Sequence, residues 1–242
     1  MTFSPVETIN PDAPPGLLVI VDHASNALPP GYGTLGLDPA EFERHIAYDI
    51  GTAGLARALA GRLNATTLLG GFSRLLIDPN RGEDDPTLVM QISDGAIVPG
   101  NRGIDRAERE RRLDTCYRPY HAAIEAQITR AIRPAVLSIH SFTPRLRGRP
   151  PRPWHVGALW GPDAASGERL LDILGQDPAL CVAANEPYLG GSPGETLDQH
   201  VYHRDLPNIL VEIRNDLIAD EAGQIEWADR LAPAIREAFV QP

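Results

Sequence analysis

Three apolar runs dominate the hydrophobic pattern of this chain: LLVIVDH at 17–23, AVLSIH at 135–140 and NILVEIR at 208–214. Runs that are almost continuously apolar, rather than alternating, belong to strands buried on both faces, as in parallel α/β sheets. Between them the period lengthens. Phe42, Ile46, Ile50, Leu55, Leu59 and Leu63 fall near helical spacing over 39–63, with a break expected at Gly51. Asp38-Pro39 opens that stretch as a capping side chain followed by a first-turn proline. Leu113, Tyr117, Tyr120, Ile124 and Ile128 mark one face of a charged helix over 104–132, which Pro119 is expected to kink or divide. Further strands are predicted at 66–70, 74–78, 155–160 and 180–184, and further helices at 163–175 and 222–239. Residues 1–16 read as an irregular lead-in, and 79–102, 143–153 and 186–208 as loops. The alternation predicts an α/β fold, a three-layer α/β/α sandwich on a mostly parallel mixed sheet, made by one domain over 1–242.

Composition narrows the function. With 242 residues, 43% of them hydrophobic and 22% charged, the chain can bury a full core. No run approaches the ~18 apolar residues of a membrane span. The segment MTFSPVETINPDAPPG has neither the basic nor the apolar region of a signal peptide, so a cytoplasmic location is expected. Cys116 and Cys181 stand alone, which excludes a disulfide framework or a CxxC metal site. A net charge of −10 argues against nucleic acid and anionic membranes as partners. All 22 basic residues are arginine. Without a lysine there is no P-loop, no Schiff base and no Ser–Lys dyad. The oligomeric state is not legible.

Two of the apolar runs end on histidine, His23 and His140, and the third carries Glu212. Open α/β sheets bind their ligands at the carboxyl ends of such strands. One strand-end histidine is commonly a structural, hydrogen-bonded residue. Two of them with a carboxylate at a third strand point to a metal with an acid/base beside it, because neutral imidazole is the usual zinc ligand and catalytic zinc takes three protein ligands plus an open position. Asn26, three residues after His23, is a candidate ligand or a turn-former. Asp49 is a candidate carboxylate ligand or the cap of a helix starting at Ile50. Glu212 either pairs with Arg214 or serves as a general base whose desolvation raises its pKa. Arg74, Asn80 and Arg81, in RLLIDPNRG, form a polar turn or a carboxylate clamp. Arg145, Arg147, Arg149 and Arg152 form a solvated loop able to attract an acidic substrate.

The stretches VDHASN, AYDIGTAGLARAL, FSRLLIDPNR, LSIHSFTP, NEPYLGG and LPNILVEIRNDL, in that order, resemble the N-formylglutamate amidohydrolase family. That family is similar in layout to the zinc carboxypeptidases and aspartoacylases. The resemblance implies a zinc-carboxypeptidase-like fold and a Zn²⁺ cofactor held by His23, by Asn26 or Asp49, and by His140. It also implies Asn80, Arg81 and Ser141 at the substrate, Arg74 as the polarising arginine and Glu212 as the general base. One position departs: Asn26 stands where the related layouts carry a ligating glutamate. The expected activity is hydrolysis of the N-acyl amide of a small acidic amino acid, most simply N-formyl-L-glutamate. The alternatives are a zinc hydrolase of another N-acyl amino acid or peptide end, and a non-catalytic acidic-ligand binding protein.

Overall fold

The computed structural model describes residues 3–239. In chain order its strands are β1 (Val6–Ile9), β2 (Leu17–Val21), β3 (Thr66–Gly70), β4 (Ile92–Ser93), β5 (Ala96–Ile97), β6 (Ala135–Phe142), β7 (Val156–Leu159), β8 (Val182–Ala184) and β9 (Asn208–Arg214). The helices are α1 (Thr52–Leu63), α2 (Arg106–Arg112), α3 (Arg118–Ile128), α4 (Ala165–Leu174), α5 (Thr196–His200) and α6 (Glu221–Phe239). β4 and β5 form a small hairpin, and the other strands make one sheet in the order β1-β3-β2-β6-β9-β7-β8. β3, β2, β6 and β9 are mutually parallel. β1 is antiparallel at one edge, and β7 turns antiparallel to β9 near the other.

The apolar runs are explained by burial on both faces. Leu18, Ile20, Leu68, Val136 and Leu210 pack into one core with Tyr117, Tyr120 and Ile124. Their neighbours Val19, Leu69, Leu137, Ile209 and Val211 pack into a second core with Leu55 and Leu59 of α1, Leu170 of α4, and Trp227 and Leu231 of α6. Each such aliphatic side chain contributes ~1.5–3 kcal/mol on burial. Helices therefore cover both faces, and the three-layer α/β/α sandwich is present.

Connectivity fixes where a ligand can enter. From β2 the chain passes through α1 to β3 on one side, then crosses back through α2 and α3 to β6 on the other. The direction of winding reverses between β2 and β6, and the carboxyl ends of strands at such a switch point leave a crevice.

Several expectations need correction. The lead-in over 1–16 is not wholly irregular, because Val6–Ile9 pairs with Thr67–Gly70 as an edge strand. Residues 74–78 are turns rather than a strand, so Arg74 does not open one. Leu75, Leu76 and Ile77 are fully buried there, and side chains replace the ladder: Asn101 Nδ2 donates to Leu75 O (2.7 Å) and Arg112 Nη1 to Leu76 O (2.9 Å). Only Thr52–Leu63 of the 39–63 stretch is α-helix, preceded by a short 3-10 turn at Pro39–Glu43. The long charged helix divides at a π-helical turn, Leu113–Tyr117, just before Pro119. The 186–208 segment carries α5. No helix among the described residues is long and apolar enough to cross a membrane.

Candidate active site

His140 and Glu212 lie directly opposite each other in the β6–β9 register, and His23 follows β2 by two residues. Asp49 reaches them from the turn before α1. Its N–H donates to His23 O (2.9 Å), and Ser141 N–H donates to its Oδ2 (3.2 Å). Gly51 makes that turn possible. Its φ is +84°, and a Cβ there would lie 2.1 Å from Ile218 O, so a side chain is excluded by both torsion and space.

Ligand atoms of His23, Asp49 and His140 all lie within 4.8 Å of one another, and all three residues are buried. His23 Nδ1 is 3.5 Å from Asp49 Oδ1, and His140 Nδ1 is 3.0 Å from Asp49 Oδ2. The opposite ring nitrogens face other acids: His23 Nε2 meets Asp78 Oδ1 at 2.7 Å, and His140 Nε2 meets Asp22 Oδ2 at 3.2 Å. A carboxylate behind each imidazole is the usual arrangement that orients metal-binding histidines. These acids are fixed in turn. Tyr120 and Thr196 hydroxyls both donate to Asp22 Oδ1 at 2.9 Å. Asp78 takes Arg74 Nη2 at 2.7 Å and the Asn80 N–H at 2.9 Å.

The donor set fits a divalent cation. His23 Nδ1 is buried with no hydrogen-bond partner, leaving a lone pair or proton unspent in the centre of the cluster. Asp22, Asp49 and Asp78 are buried carboxylates, and among the described residues Arg74 is the one arginine ion-paired with them. The cluster is left with an excess of buried negative charge, which a cation offsets. Without an ion the histidines carry the imbalance. Burial and Arg74 oppose protonation of His23, but Asp78 and Asp49 outweigh them and raise its pKa. Burial likewise opposes His140, and the carboxylates of Asp22 and Asp49 beside its two ring nitrogens raise it well above the ordinary value. Burial pushes Asp49 up, but the charge of His23 and the hydrogen bond with His140 hold it below the usual carboxylate range.

Glu212 behaves in the opposite way. Burial pushes its pKa up to about 7, with Asp49 adding to the rise and His140 opposing it. Its Oε2 has no hydrogen-bond partner. The pairing with Arg214 does not form, since Arg214 Nε donates to Asp216 at 2.8 Å instead.

These residues floor a cavity of about 700 Å³ that also meets Arg74, Asn80, Arg81, Ser141, Tyr188 and Glu195. Arg81 is in no ion pair among the described residues. Its Nη1 donates only to Asn80 O at 3.0 Å, while Tyr117 OH donates to Arg81 O at 2.7 Å and fixes the turn. Thr196 N–H donates to Asn80 Oδ1 (2.8 Å), leaving the Asn80 amide N–H groups for a ligand. Arg74 is committed at Nε and Nη2 to Asp78, with Nη1 3.5 Å from Asp49 Oδ1. Ser141 Oγ donates to Ile50 O at 2.8 Å, so this side chain braces the Asp49 turn.

Asn26 is not among the residues that line the cavity. Its Nδ2 donates to Phe42 O at 2.9 Å, a turn-bracing role, and Asp49 is the third group beside the two histidines. Asp22 and Asp78 escaped the sequence reading. Asp22 lies between Val21 and His23 at a buried strand end, a signal that an acid there needs a partner; Asp78 was masked by the turn chemistry of DPNRG.

The profile of the N-formylglutamate amidohydrolase family matches residues 16–219. The chain belongs to this family. It is therefore a hydrolase of amide bonds with a small amide substrate, rather than a non-catalytic binding module. A crystal structure of a gene product from Agrobacterium tumefaciens shares 34% identity and a TM-score of 0.92, covering 97% of this chain and 94% of that one. The N-formylglutamate amidohydrolase from Ralstonia eutropha JMP134 shares the fold at 23% identity and a TM-score of 0.73, covering 96% and 98%. A bacteriophage poly-gamma-glutamate hydrolase shares it more distantly, at 10% identity and a TM-score of 0.51, covering 96% and 86%. No curated protein sequence matches the chain.

Proposed function

We propose that this amidohydrolase uses a divalent metal, zinc, to cleave the N-acyl amide of an acidic amino acid, with N-formyl-L-glutamate and water giving formate and L-glutamate. The observation that carries the reading is the convergence of His23, Asp49 and His140 on one point, with Glu212 beside them and each histidine backed by a second carboxylate. Two imidazoles and one carboxylate with an open side are a donor set of catalytic zinc. When bound by these three residues, zinc supplies a Lewis acid for the amide carbonyl and acidifies water.

Glu212 Oε2, unpartnered and titrating near 7, accepts the proton of the attacking water and delivers it to the amide nitrogen as the C–N bond breaks. A desolvated carboxylate whose proton affinity burial raises is suited to taking a proton from water and passing it to the amide nitrogen. Arg81 and the Asn80 amide bind the α-carboxylate of the substrate, the guanidinium through two parallel hydrogen bonds. Arg74 Nη1, the part of that guanidinium not spent on Asp78, places positive charge where the tetrahedral oxyanion develops.

The test is formate release from N-formyl-L-glutamate by purified protein with its metal content measured in parallel. Turnover that follows metal occupancy supports the reading. Hydrolysis confined to N-acyl derivatives of neutral amino acids overturns the acidic substrate while leaving the chemistry standing.

A further inference from the structure

The proposed substrate carries two carboxylates, and the turn holding Arg81 answers only one. The wall around Arg81 is acidic as well: Asp85 and Glu195 line the same cavity, so a second carboxylate cannot lodge there without repulsion. Arg74 is spent on Asp78 and Asp49. The side-chain carboxylate needs a different cation.

Arg152 meets the requirements. It follows the proline-rich loop after β6 and is half-buried, whereas Arg145, Arg147 and Arg149 of the same loop are exposed. It makes no ion pair among the described residues. Arg152 is not itself a lining residue of the cavity, but its side-chain contacts are with residues that are: Nη1 donates to Thr143 O at 3.1 Å, Nη2 donates to Tyr188 OH at 3.2 Å, and the guanidinium lies over the Phe142 ring at 5.7 Å and the Tyr188 ring at 5.0 Å. Two aromatic faces hold the plane of the group, as cation–π contacts do. Two of its five N–H groups are used within the protein, and three remain. A guanidinium held over two aromatic rings and by two hydrogen bonds, with no acid of its own, is pre-organised for a planar anion.

Placement agrees. The two arginines stand on separate segments: the Arg81 turn packs against Gly194 and Thr196, whereas Arg152 lies in the β6–β7 loop beside Phe142 and Tyr188. An amino acid whose amide sits over the central strands extends its α-carboxylate toward one arginine and its side chain toward the other.

We infer that Arg152, held between Phe142 and Tyr188, is a second carboxylate-binding subsite that receives the side-chain carboxylate of the substrate and sets the preference for acidic N-acyl amino acids. This rests on the hydrolytic reading above but is tested apart from it.

The experiment compares N-formyl-L-glutamate with its near-isosteric neutral analogue N-formyl-L-glutamine, in wild type, Arg152→Gln and Arg152→Lys. Wild type favours the charged substrate, and Arg152→Gln lowers the glutamate-to-glutamine ratio of kcat/KM by ~10-fold or more, expressed mainly in KM. Arg152→Lys restores part of the ratio, since a point charge lacks the planar fork. An equal loss on both substrates makes Arg152 a packing residue and overturns the subsite, as does a wild type with no preference. The glutamine arm reports whether each variant is folded. If wild type hydrolyses neither compound, the hydrolytic reading fails, and calorimetric binding of L-glutamate and L-glutamine to the metal-loaded protein decides the subsite instead. A glutamate preference abolished by Arg152→Gln supports it, and equal binding, or none, overturns it.

Discussion

Replacing Glu212 by glutamine tests the buried base through stability as well as rate. Glu212 titrates at 4.5 as a free side chain and at about 7 in the folded protein, because burial disfavours its charged form. A raised folded-state pKa means that the native protein holds the proton longer than the unfolded chain does. The stability contribution is therefore fully present below ~4.5 and is lost as pH rises through ~7. At ~1.4 kcal/mol per unit, the loss is about 3 kcal/mol. Glutamine is nearly isosteric and never ionises, so the Glu212→Gln protein escapes this loss. The comparison is made by urea denaturation of metal-stripped protein at pH 5 and pH 8. At pH 8 the variant is expected to be more stable than wild type by up to about 3 kcal/mol, and at pH 5 the two should differ by under ~1 kcal/mol. The metal-loaded variant should keep its metal and lose ~10²-fold or more in kcat. A stability difference that is the same at both pH values, or a variant less stable at pH 8, would refute a desolvated Glu212. Unimpaired kcat would refute its role as base.

His23→Ala and His140→Ala should each lose bound metal, as read by elemental analysis, together with turnover, since each removes one of three ligands; stoichiometric metal in either variant would move the site elsewhere. Asp78→Asn leaves the donor set intact but disturbs the partner of His23 Nε2 and Arg74, so metal affinity measured by chelator competition should fall ~10- to 100-fold. Arg81→Ala should raise KM for N-formyl-L-glutamate, with a loss of ~10- to 150-fold in kcat/KM and only partial recovery in Arg81→Lys; a neutral α-carboxamide substrate should cost wild type about as much and the Arg81→Ala variant little more, and independent, additive losses would remove Arg81 as the clamp. The pH profile of kcat/KM should rise with ionisation of Glu212 toward neutrality, and Glu212→Gln should abolish that limb.

Much of the site was legible because parallel strands write themselves as apolar runs, and two histidines and a glutamate at three such runs are harder to explain as structural residues than any one of them alone. His23, His140 and Glu212 stood out for that reason, and the sheet brings them together. The choice between Asn26 and Asp49 was beyond the sequence. It depends on a turn that only Gly51 permits, packed against Ile218 more than 160 residues away. The 74–78 segment misled because its pattern is that of a buried strand. Its carbonyls are met by Asn101 and Arg112, and long-range side-chain bonding of that kind has no local signature. Asp22 and Asp78 were hidden differently: each is an ordinary acid in sequence, and becomes an orienting group only where the fold sets it behind an imidazole. The β1 edge strand was missed because VETI is short and half-exposed, and pairing with β3 rather than its own pattern makes it a strand.

The most direct test is a metal titration scored by chemistry. Protein stripped with a chelator is reconstituted with increasing zinc, and formate release from N-formyl-L-glutamate is followed at each step. The account predicts no turnover in the stripped protein and a linear return that saturates at one zinc per chain, with His140→Ala failing to respond. Full hydrolysis by stripped protein, or a chain that binds one zinc tightly and releases no formate, would contradict it.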